Sequence, residues 1–255
     1  DIFARSGIPF YVCPGTSSWN TVGGRTSNAV NNMQNAAENG LNHGATGYLI
    51  TDWGDNGHWQ PLPVSYLGFA YGAAMSWHYE SNRDIDITTA VSRYAFRDSA
   101  EIVGRLAYDL GNVYEASNIR LHNGTILFYV LQTRPDELGK LRKNVLAGDL
   151  YERENYTRMR ARIEEVMAPL AEAQMNRPDA DLLRTEFTWA ADMLRHACDR
   201  ALWLLDGAPT PNENLAAQAQ ELIDRYQTVW LARNRIGGFR ESVARMEAMR
   251  ADYLL

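Results

Sequence analysis

Apolar and polar positions change rhythm near residue 85 of this chain. Before it, short apolar runs alternate with helical periodicity. Ile8-Pro-Phe-Tyr-Val-Cys13 is a compact apolar run closed by Pro14-Gly15, and Ala45 to Thr51 is a second. Runs of this length bounded by turn residues read as buried strands. Between them, Thr26 or Ser27 offers a cap for a helix through about Asn39. Ala29, Val30, Met33, Ala36 and Ala37 share one face of it, and Gly40 is the stop. Val64 through Trp77 is apolar nearly all round, which predicts a helix buried on both sides, with Gly68 and Gly72 permitting close approach. Strand, loop and helix, twice over, is the grammar of a parallel sheet whose ligands gather in the loops after the strands.

After residue 85 the pattern is helical. Ile87–Phe96 and Glu101–Glu115 read as short helices, while Thr125–Leu131 is open between strand and buried helix. Long amphipathic stretches follow over Glu154–Gln174, Asp181–Leu205, Glu213–Asn234 and Arg240–Leu254, broken at Arg177-Pro178, Gly207 to Pro211 and Gly237-Gly238. In the second stretch Leu182, Leu183, Phe187, Ala190, Leu194, Ala197, Ala201 and Leu204 form one stripe. Such helices with short breaks predict an antiparallel bundle. The expected organisation is residues 1–85 as an α/β part and residues 86–255 as an all-α domain. Two parallel strands are too few for a stable sheet. The α/β part is therefore expected to be the end of a longer unit, or to self-associate as a homodimer through its open face.

Composition narrows the partners. A formal net charge of −6 argues against a nucleic-acid binder, and no apolar run reaches the length of a membrane span. The opening residues carry no signal-peptide pattern. Cys13 and Cys198 are too isolated for a disulfide framework or a zinc site and read as two buried free thiols, which favours a cytoplasmic setting.

The chemistry concentrates in Gly47-Tyr-Leu-Ile-Thr-Asp-Trp-Gly-Asp-Asn-Gly-His-Trp59, an apolar run that ends in carboxylates, indoles and an imidazole. Carboxylates accept hydrogen bonds from sugar hydroxyls, and indole faces cover the apolar face of a pyranose. Asp52 at the strand end reads equally as a hydroxyl acceptor or a loop cap, and Asp55 favours an Asx-turn with Gly57. Asp52, Asp55 and His58 offer oxygen and nitrogen ligands, but Trp53 and Gly54 break the calcium-loop pattern, so no metal and no cofactor are expected. Trp19, Trp53, Trp59 and Trp77 fall in the first third, each either packed beneath a loop or forming a ligand wall. Trp189, Trp203, Trp230 and His196 lie on helical stripes and read as core.

Pro14-Gly-Thr-Ser-Ser-Trp-Asn20, Thr51-Asp-Trp-Gly-Asp-Asn-Gly-His58 and Pro63-x-Ser65 before a Gly/Ala-rich helix ending at Trp77 together resemble the last part of a family 20 glycoside hydrolase, a β-N-acetylhexosaminidase. The branch most resembled carries a helical domain after its barrel, which Trp230-Leu-Ala-Arg-Asn-Arg235 followed by Gly237-Gly238 also resembles. The resemblance implies the C-terminal portion of a (β/α)8 TIM barrel followed by a helical bundle. It implies retaining hydrolysis in which the sugar's own 2-acetamido oxygen attacks the anomeric carbon. It further implies that the catalytic Asp-Glu pair lies upstream, so that no catalytic residue is in this chain. By the same resemblance Trp19, Asp52, Trp53 and Trp77 contact the sugar, with Asp55 and His58 as further candidates and an N-acetylglucosamine-containing glycan as partner. Ile50 stands where the better-known branch has a Tyr that bonds the acetamido carbonyl. Two other readings remain open: a non-catalytic helical interaction module with an α/β appendage, or a fragment of another TIM-barrel glycosidase.

Overall fold

A computed structural model describes residues 2–255; Asp1 lies outside the described residues. A short helix α1 (Ile2–Ser6) leads into strand β1 (Tyr11–Val12). Helix α2 (Thr26–Asn42) then returns the chain to strand β2 (Gly47–Tyr48), which pairs with β1 in parallel, Tyr11 opposite Gly47. A single further bridge, Gly15 to Thr51, extends the pair toward the following loops. A 3-10 turn at Leu62–Ser65 opens α3 (Tyr66–Trp77). The close approach expected of Gly72 is real: a Cβ there would come within 2.6 Å of the Ile50 side chain.

The expected barrel portion is not there. Among the described residues the chain is mostly helical, with two small two-stranded sheets and no third strand beside β1 and β2. Pro9 within the first apolar run and Pro14 just after it donate no backbone N–H, so the regular ladder is confined to Tyr11–Val12, while the Phe10 and Pro14 carbonyls still accept from the Thr46 and Thr51 amides. Parallel ladders are normally covered on both faces. Here α2 packs against both strands and α3 against α2, while Ile8, Tyr11 and Leu49 remain exposed. Helix α3 also departs from expectation. Leu67, Tyr71 and Met75 are buried, but Phe69 is half-buried and Ala73 and Trp77 face outward.

Helices α4 (Tyr79–Asn82) and α5 (Ile87–Ala90) lead into a π-helical turn at Val91–Phe96 and then α6 (Ile102–Leu110). Buried Asp98 starts α6 by accepting from the Ile102 and Val103 amides at 2.8 and 2.9 Å, the orphan donors of a helix N-terminus. Strand β3 (Arg120–Leu121) follows, then α7 (Ile126–Gln132), which settles the open apolar run as a buried helix capped by Thr125. Strand β4 (Val145–Ala147) pairs antiparallel with β3.

Four helices complete the fold: α8 (Arg153–Met167), α9 (Ala180–Leu205), α10 (Glu213–Arg233) and α11 (Phe239–Ala251). Their ion pairs display the antiparallel arrangement directly. Arg160 meets Asp199 while Arg195 meets Glu164, so α8 and α9 run in opposite directions. Arg225 meets Asp192 while Arg233 meets Glu186, so α9 and α10 do too. Every residue of the stripe expected on α9 is buried except Leu182, which is half-buried. Trp189, Trp203, Trp230 and His196 are buried, as their spacing suggested. Arg200, fully buried, donates to the Val130 and Thr133 carbonyls at 2.8 and 2.7 Å and pairs with Asp252, fastening α7 and the C-terminal segment to α9. The apolar core is continuous across residue 85, with Met33, Leu67, Phe128, Phe187 and Met246 in one cluster. No helix among the described residues is long and apolar enough to cross a membrane.

Candidate functional site

The loops after β1 and β2 face each other, because a parallel pair directs both chain exits to the same end. They enclose a cleft of about 300 Å³ lined by Cys13, Trp19, Asn32, Trp53, Asp55 and Asn123, among others. Trp19 is half-buried, and its indole Nε1 donates to the Asn123 side chain. Gly15 makes room for the ring: a Cβ there would lie 2.6 Å from it. Trp53 stands at the mouth, 58% exposed. Asp55 is exposed and makes no hydrogen bond or ion pair among the described residues, so the Asx-turn expected of it does not form. Its free carboxylate is available to a ligand. Asn32 is held at the cleft by accepting from the Gly15 amide at 3.0 Å.

Asp52 is engaged with the loops themselves, the second of the two roles its position offered. One carboxylate oxygen accepts from both Thr16 and Ser65, the latter at 2.9 Å. Ser18 joins the cluster, with its hydroxyl 2.8 Å from those of Thr16 and Ser65. Thr16, Ser18 and Ser65 are buried, so this carboxylate stitches the two post-strand loops to the start of α3. Asp52 therefore underpins the cleft, with Trp53 beside it on the wall.

His58 belongs to the junction with the C-terminal helices. Its carbonyl accepts from the Tyr226 hydroxyl at 2.7 Å, and its ring lies edge-on to Trp230. Burial lowers its pKa, with the Asp52 charge opposing that shift. Trp59 is fully buried, its Nε1 donating to the Ser242 carbonyl at 3.0 Å. That indole is packing, not wall.

Trp77 does not join the cluster. The 12 residues of α3 run away from the cleft and carry Trp77 about 18 Å along the helix axis. There, 88% exposed, it borders a separate cavity of about 430 Å³ with Val12, Gly40, Gly47 and His78. That cavity lies at the other end of the strand pair. Cysteine usage also needs correction: Cys198 is buried, but Cys13 is exposed and lines the cleft.

Asn123 was invisible to sequence reasoning, since nothing in the spacing joins residue 19 to an Asn-Gly turn 104 positions later. Asn32 carried no distinct signal either, being one of many polar positions along α2. The adjacent acidic pair Asp136-Glu137 lies in a 3-10 segment, with Glu137 bonded to Lys140 at 2.5 Å and Asp136 exposed, and has no acid-catalyst setting. Among the described residues no cluster of His, Cys, Asp and Glu forms a metal site. No family model and no curated protein matches the chain.

Proposed function

We propose that this chain supplies the sugar-gripping part of a β-N-acetylhexosaminidase, a retaining glycoside hydrolase acting on terminal N-acetylhexosamine. One observation carries the reading: two indoles and an unpaired carboxylate border a single cleft at the carboxyl end of two parallel strands. Indole faces offer the apolar surface a pyranose needs, and Asp55, Asn32 and Asn123 offer acceptors and donors for its hydroxyls and acetamido group. The volume suits about one sugar ring with part of a second, within the lower range of ligand pockets. In this reading the 2-acetamido oxygen is the nucleophile, and the carboxylates that orient it and protonate the leaving oxygen are not among the cleft residues named here.

The test is calorimetric titration of the chain with chitobiose and, in parallel, cellobiose, alongside a chromogenic N-acetylglucosaminide assay. Chitobiose binding in preference to cellobiose, without turnover, is the expected result. Equal binding of both would remove the amino-sugar assignment, turnover would place a catalyst in the chain, and absence of binding to either would end the reading.

A further inference from the structure

Buried charges ordinarily carry a partner. Arg25 does not. It is 7% exposed, and its Nη2 is buried without an acceptor. Its Nε reaches the Ser17 carbonyl at 3.4 Å, a long bond. The ionisable groups acting on it are the phenols of Tyr114 and Tyr129, with no carboxylate among them. What the guanidinium does meet is Trp19, with its central carbon 5.0 Å from the indole ring centroid. An isolated cation at this depth costs folding free energy, and an apolar side chain of the same volume would avoid that cost. Departures of this kind concentrate where function requires them.

The cleft supplies the requirement. Trp19 is held at its N–H by Asn123 and fits into the space left by Gly15, but neither contact controls the tilt of the ring. A planar cation against the π-face does, because both the electrostatic attraction and the stacking favour one orientation. A wall held in its bound orientation avoids the ordering cost of capturing a ligand.

We propose that Arg25 is a positioning residue: from beneath, its guanidinium fixes the Trp19 indole as the wall against which an amino-sugar ring is presented. The sugar part of this proposal rests on the function proposed above; the ring-fixing part does not.

The experiment uses the full chain with Arg25→Met and Arg25→Lys, observing the indole N–H signals by nitrogen-15 NMR. The Trp19 signal is assigned by its loss in Trp19→Phe. In Arg25→Met the expected results are an unchanged or raised Tm, at least tenfold faster solvent exchange of the Trp19 indole proton, and at least fivefold weaker chitobiose binding. Arg25→Lys, which keeps the charge and loses the plane, falls between. A folded Arg25→Met with unaltered Trp19 exchange overturns the proposal. So does an Arg25→Met that unfolds or melts well below wild type, since Arg25 is then a stability element. If the wild type binds no chitobiose, the sugar reading fails, and the exchange measurement still decides whether Arg25 fixes the ring.

Discussion

The two aspartates after β2 separate a wall from its foundation, and neutralising each in turn tests that separation. Asp52→Asn keeps the shape of the side chain and an oxygen for Thr16 and Ser65, but turns two charge-assisted bonds into neutral ones. Charge-assisted bonds are roughly twice as strong, so each loses about 1 kcal/mol, about 2 kcal/mol together. For a chain of this size that lowers Tm by roughly 4–8 °C. Asp55→Asn removes no bond from the folded protein, so its Tm should stay within about 1 °C of wild type. Its effect falls on the ligand. Exchanging a charged acceptor for a neutral one against a sugar hydroxyl costs about 1.5 kcal/mol, roughly tenfold in Kd. Thermal melts by circular dichroism and calorimetric titration with chitobiose read the two quantities separately. The reversed pattern, with Asp55→Asn unstable and Asp52→Asn stable but unable to bind, would refute the assignment.

Arg200→Met should be the most damaging single change in the helical array. It strands the Asp252 carboxylate and two carbonyls, costs about 3–5 kcal/mol, and lowers Tm by roughly 6–20 °C; a loss of a degree or two would contradict the account. Burial holds the His196 imidazole neutral, its pKa lowered to about 4. As pH falls the unfolded chain takes up this proton first. Stability present above about pH 6.5 therefore declines toward pH 4, by up to about 3 kcal/mol. Urea midpoints for wild type should fall over that range and those for His196→Gln should fall less; equal slopes would show that His196 is not the source. Gly15→Ala forces a methyl into the Trp19 ring at 2.6 Å and should cost about 1–3 kcal/mol while weakening chitobiose binding. Unaltered binding in that variant would separate Trp19 from the ligand.

The sequence was legible where one periodicity dominated over many turns. Helix α9 begins and ends within a residue of the stretch Asp181–Leu205 that its pattern predicts, and the Gly207–Pro211 break precedes the start of α10. It was misleading where runs were short. Ile8–Cys13 has the composition of a buried strand, yet its prolines and lack of neighbours leave a two-residue ladder. Thr26 looked like a cap and is the first helical residue instead; Asn112, from a distant segment, caps the Ser27 amide at 3.0 Å. The site divided in the same way. Trp19, Trp53 and Asp55 were recognisable as loop residues after apolar runs and share the cleft. Trp77, which the resemblance places at the sugar, lies at the far end of α3, and no local pattern reveals the direction in which that helix runs. Asp52 and Arg25 depend on tertiary partners that no local pattern encodes.

The bonds from Trp59 to Ser242 and from Tyr226 to His58 fasten the β2 exit loop to helices 183 and 168 positions further along the chain. Contacts so remote in sequence are entropically expensive to close and form only when their far ends exist. During synthesis, then, the loop that carries Trp53 and Asp55 lacks its far anchor until α10 and α11 have emerged and docked. The placement of Trp53 and Asp55 is thus among the last features of the fold to be secured.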